Sequence, residues 1–267
     1  MLFSLWLLLP VPAPAAGPPD SGPGELRQLQ EMKYAKDENR GASGMSGIRE
    51  QALNEAAMRL GACRGANWEY ARLEKRFEEE SSRLDEIFNF SPLMIGGNVI
   101  PPVITEIRDA AQKDGRETLR TAQVMYEIVQ FAQVATVPPN WRQYLLARSS
   151  ECQPPVKALL PKNDEEQKAW SEAIKRGWDS GVEAADTTER ERLRKLVIDL
   201  TGMIRFNVLK QRGQVSAVLV AGSGPRVVVE GKELRVGERL FRIARDADFQ
   251  PETKWRPVVR DRYLGGL

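Results

Sequence analysis

The sequence predicts an α+β protein in which long helices pack with a small, mostly antiparallel sheet and the C-terminal part is β-rich. Three observations lead there. Apolar residues recur at spacings of three, four and seven through residues 65–88 and again through 163–213, the period of helices with one buried face. Four short runs, 218–221, 226–229, 233–236 and 240–244, are punctuated by glycine-rich turns and read as meander hairpins. Strand and helix signals do not alternate along the chain, which argues against a parallel nucleotide-binding sheet.

In chain order, the apolar run from Leu2 to Val11 comes first. It is shorter than the roughly 20 residues a membrane span needs. With Ala13-Pro14-Ala15 behind it, the run reads as a secretory signal over residues 1–15, cleaved before Ala16. Residues 16–47 are rich in Pro, Gly, Ser and charge, and are expected to form a flexible linker. A single domain is expected over 48–267.

Within that domain a helix begins at Ile48. Farther on, Trp68, Ala71, Phe77, Leu84, Ile87 and Phe88 share one helical face, with Glu78, Glu79, Glu80 and Arg83 on the other. Gly96-Gly97-Asn98 marks a turn, and Pro101-Pro102 forbids a continuing helix. Residues 119–136 can be read as helix or strand; the alternate set Ala122, Val124, Tyr126 and Ile128, with its β-branched and aromatic content, favours strand, stopped by Pro138-Pro139. Asn163 with Glu166 three residues later forms a capping box. Trp170, Ala173, Ile174, Gly177, Trp178, Gly181 and Val182 then make one stripe. Glycine weakens a helix by about 1 kcal/mol, so two glycines on the buried stripe imply close approach of another backbone. Thr188 and Glu191 read as a second helix start, continued by Leu193, Leu196, Val197, Leu200, Met203 and Ile204.

Composition narrows the chemistry. The 267 residues are 42% hydrophobic and 28% charged, enough for a core, and the net charge of +2 gives no basic field for nucleic acid or an anionic bilayer. Direct nucleic-acid binding is therefore not expected. There is no histidine, which removes Ser-His-Asp, Cys-His and His-metal chemistry. Gly222-Ser223-Gly224-Pro225 lacks the following helix and the G-K-[ST] of a phosphate loop, and reads as a turn. A glycosidase needs only two carboxylates, but nothing in the spacing of Asp85, Glu86, Glu106 and Asp109 separates such a pair from surface acids. No catalytic residue, cofactor or metal is expected. Cys63 and Cys152 cannot make a four-ligand site alone. In an oxidising compartment they could pair; two unpaired buried thiols are the alternative.

Trp141, Arg142 and Tyr144 are of types that dominate protein interfaces, and equally of types that anchor a core edge. Pro-Pro pairs pre-order an extended backbone and lower the entropy lost on docking. The candidate interface therefore comprises Asn98, Pro101, Pro102, Pro138, Pro139, Trp141, Arg142 and Tyr144.

Longer words in the sequence carry a family likeness. LDEIFNFSPLMIGGNVIPPVITE (84–106), TVPPNWRQYLL (136–146), LLPKNDEEQKAW with RGWDSGVEAAD (159–186), GMIRFNVLKQRGQVS (202–216) and GERLFRI (237–243) occur in the order seen in the DotC/TraI family. The chain resembles that family over nearly all of its expected folded body. The resemblance implies a non-enzymatic structural component of the outer-membrane core complex of type IVB secretion and conjugal transfer systems. Such a component works in many copies, in a ring, beside DotD-like and DotH-like partners, and helps assemble and localise the DotH-like channel subunit at the outer membrane. The expected location is the periplasm, at the periplasmic face of the outer membrane. Family members typically carry a lipobox cysteine after the signal. The first cysteine here is Cys63, so association is expected through partners or an anchor not visible in this sequence. A periplasmic glycan-binding or carboxylate-dependent glycan-hydrolysing protein is the alternative.

Overall fold

The structure, a computed structural model, describes residues 21–34, 47–114, 116–146 and 149–256. The signal expected over 1–15 lies outside the described residues. Helices and small antiparallel sheets make a mixed α+β fold, with strands toward the C-terminus. The chain divides into two compact units where the sequence analysis has one domain over 48–267. One unit takes residues up to Ser81 together with Leu145–Glu191; the other takes Ser82–Tyr144 and the chain from Arg192 onward. Each has its own cluster of buried apolar side chains.

The first unit is built on helix α2 (Gly47–Glu79) and the first part of the long helix α5 (Asp164–Gln211). Leu53, Ala57 and Leu60 of α2 face Trp170, Ala173, Ile174 and Trp178 of α5. Four glycines set how close the two helices come. A Cβ on Gly61 would overlap the carbonyl oxygen of Ile174, and one on Gly65 would lie 2.5 Å from that of Trp178. Reciprocally, Gly177 abuts the carbonyl of Met58, and Gly181 that of Ala62. The close approach expected at Gly177 and Gly181 is therefore backbone against backbone, with α2 supplying a matching pair at the same four-residue spacing.

The linker expected over 16–47 requires correction. Helix α1 (Ser21–Gln30) lies within it. Few apolar residues suffice, because Leu29 is buried in the first unit's core and Leu26 packs against it. The indole N–H of Trp170 donates to the Leu29 carbonyl at 2.9 Å. That docking offsets the ordering entropy which composition alone sets against the segment.

Asn163 caps α5: its Oδ1 accepts from the Glu166 N–H at 2.8 Å. The Glu166 carboxylate reaches back one residue past the cap to the Lys162 N–H (2.9 Å) and takes two bonds from the Arg49 guanidinium, at 2.6 and 2.8 Å. These bonds, led by the one from Arg49, hold the Glu166 carboxyl below its ordinary value. Its contribution is therefore complete above the ordinary carboxylate range and is lost as pH falls through the lowered value. Glu166→Gln should cost about 1–3 kcal/mol at pH 7, and the gap to wild type in denaturant midpoint should close in acid.

No break occurs at Thr188, where a second helix start was expected. Its hydroxyl donates to the Ala184 carbonyl four residues back at 2.8 Å, so it bonds within the helix instead of capping a new one. Cys63 of α2 is joined to Cys152 by a disulfide, with Cα atoms 5.7 Å apart. Asn67, one turn along α2, donates to the Ser150 carbonyl at 2.7 Å, so the segment around Cys152 is held to that helix at two points.

In the second unit, β2 (Val103–Asp114) and β3 (Thr118–Gln130) form one long antiparallel hairpin. β3 covers most of the segment 119–136 expected as one strand, which breaks at Phe131-Ala132 and resumes only as a two-residue strand at Gln133–Val134. β2 carries no such signal because Glu106, Asp109 and the alanines around them depress strand propensity. The short strands β1 (Val99–Ile100) and β4 (Gln133–Val134) pair beside the turn at Gly96 and Gly97, both at positive φ. Helix α3 (Ser81–Ile87) leads into this unit, and α4 (Trp141–Leu145) follows Pro138-Pro139. The C-terminal strands are β5 (Leu219–Gly222), β6 (Arg226–Glu230), β7 (Glu233–Glu238) and β8 (Phe241–Arg245). They are not a meander. β5 pairs with β8, and β6 pairs with β7 as an inserted hairpin. The two-residue loop Gly231-Lys232 closes the inner pair, with Gly231 at φ 56, while the Ser223 N–H donates to the Leu240 carbonyl at 2.9 Å and closes the outer one. The unit's core gathers Val99, Ile104, Ala132, Phe206, Leu209, Val215, Val218 and Ala247.

Candidate interface

The aromatic–basic cluster is positioned by a cap. Asn140 Oδ1 accepts from the Arg142 N–H at 2.9 Å, and the Gln143 side chain accepts from the Asn140 N–H at 3.4 Å. This reciprocal pair starts α4 directly after the two prolines, which cannot continue a strand. Starting the helix there turns Trp141 inward, where it is 1% exposed. Its indole N–H donates to Asp85 Oδ1 at 2.7 Å, and the Arg142 guanidinium lies over its ring, 4.3 Å from the centroid. Arg142 closes the set by donating to both Asp85 oxygens, at 2.6 and 3.3 Å. Hydrogen bonds from Arg142 and then Trp141 hold the Asp85 carboxyl below its ordinary value.

Tyr144 follows the same logic. Its hydroxyl donates to Asp199 Oδ2 at 2.8 Å, and its ring stacks on Phe90 with centroids 6.2 Å apart. Burial pushes the phenol up, and the bond to Asp199 adds to that. Lys195 neutralises Asp199 at 2.8 Å.

Pro101 and Pro102 are buried, and Pro138, Pro139 and Asn98 are half-buried. Asn98 accepts from the Ala135 N–H at 2.9 Å through its backbone oxygen. The expectation that these eight residues form a contact surface therefore needs revision. Pro101, Pro102 and Trp141 have almost no surface to offer, because they seal the interior of the second unit. Asn98, Pro138, Pro139 and Tyr144 keep partial exposure, and Arg142 reaches solvent as a half-exposed pair with Asp85, each partner already satisfied by the other. Trp141→Ala should lower stability by about 3–5 kcal/mol, read as a fall in denaturant midpoint. An unchanged midpoint would place the indole outside the core.

Two of the four carboxylates considered for hydrolysis, Glu106 and Asp85, are similarly engaged. Glu106 is paired with Arg108 at 2.7 Å and Arg205 at 3.3 Å, and these cations hold it below its ordinary value. Asp85 is lowered too, whereas a glycosidase acid needs a raised value. Asp109 is exposed on β2 with φ 51. Among the described residues no group of three or more Cys, Asp or Glu side chains could hold a metal ion.

Exposed apolar surface lies on the ribbons, which sequence reasoning missed. Ile107 and Met125 are a cross-strand pair on β2–β3, and Val227, Val229, Leu234 and Val236 stand on β6–β7. The available signal was the alternation Glu233-Leu234-Arg235-Val236 beside the valine run 227–229.

Among the described residues no helix is long and apolar enough to cross a membrane. No curated protein matches the chain. Residues 47–257, more than half of the chain, match the family model T4SS_TraI, described as type IV secretory system, conjugal DNA-protein transfer, and the chain belongs to that family.

Proposed function

We propose that this component of a type IV secretion or conjugal transfer apparatus is exported and works in the outer-membrane core complex. There it acts by contact instead of catalysis, in many copies, helping to assemble and localise a DotH-like channel subunit beside DotD-like partners. The observation that carries the export reading is the Cys63–Cys152 disulfide. Disulfides persist in oxidising compartments such as the periplasm and are rare in the cytosol. A role by contact is supported by the pairing of Asp85 and Glu106 with arginines, which leaves neither poised for proton transfer. It is supported also by the apolar side chains exposed on two ribbons.

The test is affinity isolation of the chain from envelope membranes, with its thiols trapped at lysis. Co-purification of DotD-like and DotH-like proteins with an oxidised chain is expected. Recovery of a reduced chain from the cytosol, without those proteins, would overturn the proposal.

A further inference from the structure

Residues 210–256 hold ten Lys and Arg against six Asp and Glu, so the chain's net charge of +2 conceals a local excess of four positive charges. Glu230, Glu233 and Glu238 are taken up by Arg226 and Arg235 on β6–β7, and Asp246 turns one carboxylate oxygen into the interior. Three of the unmatched cations gather where α5 ends. There the chain returns beside itself: the Gln250 N–H donates to the Gln214 carbonyl at 2.8 Å and the Arg256 N–H to the Arg212 carbonyl at 2.7 Å. Gly213, at φ 72, admits this return, because a Cβ there would overlap the Lys254 carbonyl oxygen. Both runs line an open cleft of about 480 Å³, whose wall carries Lys210, Lys254 and Arg256 with Gln211, Ser216 and Gln250, and no acid.

Neither usual reason for such cations holds. Basic side chains near a helix C-terminus commonly bond the last carbonyls, but here the backbone does so: the Arg212, Gly213 and Gln214 N–H groups donate to Val208, Lys210 and Leu209 at 3.1, 3.0 and 2.9 Å. Nor do the cations neutralise acids. Asp248 and Glu252 are exposed off the cleft wall, and among the described residues no ion pair joins either to any of the three. Lys210 and Lys254 each give one bond to an amide oxygen, of Asn207 at 3.1 Å and of Gln250 at 2.8 Å, which leaves two donors on each ammonium beside the guanidinium of Arg256. Three positive charges exceed the roughly half negative charge of the helix end. Next in sequence to these cleft residues, Phe249 and Trp255 are 40 and 49% exposed.

We propose that this cleft binds a phosphate group and that the phosphate is the headgroup of an anionic lipid, with Phe249 and Trp255 lying at headgroup level. A phosphate has the charge and the several acceptor oxygens that one guanidinium and two ammonium groups can share. Aromatic rings beside basic groups settle at a bilayer surface, and free phosphate would make no use of them. Each basic residue near an anionic surface strengthens binding roughly fivefold, so one copy holds weakly and copies joined in an assembly hold firmly. Export to the envelope brings the chain to a bilayer, and the lipid contact rests on that reading. Purified protein and vesicles suffice for the test, so failure here leaves the role in the apparatus standing.

Protein purified from the envelope should float with vesicles of phosphatidylglycerol and phosphatidylcholine, and far less with phosphatidylcholine alone. Lys254→Ser with Arg256→Ser should weaken binding to the anionic vesicles about 25-fold without changing the melting temperature, since both side chains are exposed. Trp255→Ser should also weaken vesicle binding, while its affinity for inorganic phosphate, read by calorimetry, stays that of wild type. Equal flotation with both vesicles, anionic binding indifferent to the Lys254 and Arg256 substitutions, or inorganic phosphate bound with no vesicle binding would overturn the proposal.

Discussion

Gly181→Leu is expected to unfold the first unit, a loss of more than about 5 kcal/mol. On propensity alone the change should help, because leucine is a better helix former than glycine. Contact reverses the sign. Even a single Cβ at Gly181 would overlap the Ala62 carbonyl oxygen and lie 2.8 Å from its carbon. Those atoms are backbone and have no rotamer to escape into. Leucine must therefore push α5 off α2, opening the packing of Trp170, Ile174 and Trp178 against Leu53, Ala57 and Leu60. Gly24 of α1 is the control: no atom lies within 4 Å of a Cβ there, so Gly24→Ala should be neutral or stabilising by up to about 1 kcal/mol. Circular dichroism of the three proteins through urea gives the comparison. Equal midpoints for Gly181→Leu and wild type would refute the glycine-mediated contact.

Removing the disulfide should have the next largest effect. Cys63 and Cys152 are 89 residues apart in sequence. Closing a loop of that length restricts the unfolded chain by about 4–5 kcal/mol in the chain-entropy model. The double variant Cys63→Ser, Cys152→Ser should therefore unfold at much lower denaturant than the oxidised protein, and reduced wild type should behave like the variant. If oxidised and reduced protein share one midpoint, the bridge does not constrain the fold. If both thiols of protein purified from the envelope alkylate without reduction, the bridge is absent where it is proposed to matter.

The helices were legible because their information is local. Apolar spacing, the Asn163–Glu166 cap and the glycines at Gly177 and Gly181 all lie within a few residues of the feature they specify. Pairing over distance was not legible. Trp141 and Arg142 have interface composition, and only Asp85, 56 residues earlier, turns them into a clamp that seals a core. Pro101-Pro102 misled in the same way, since buried and docking prolines look alike in sequence. Which of β5–β8 pair with which is not local information, since consecutive hairpins and a nested pair share one pattern of valines and glycines. The stretch before Ile48 reads as linker because a docked helix borrows its apolar surroundings from elsewhere, here the α2–α5 core around Leu53 and Trp170 in which Leu29 is buried. The apolar patch on β6–β7 shows as alternation only in 233–236; the run Val227-Val228-Val229 does not mark a face. That these side chains stay exposed among the described residues is set by the fold and is not written locally.

The most direct measurement of the central claim is where the DotH-like subunit resides in cells with and without this chain. Outer and inner membranes are separated by density and the subunit is followed by immunoblot. If this chain works by contact to place that subunit, its deletion should move the subunit out of the outer-membrane fraction, and wild-type protein should return it. A DotH-like subunit that stays at the outer membrane in the deletion strain would contradict the account.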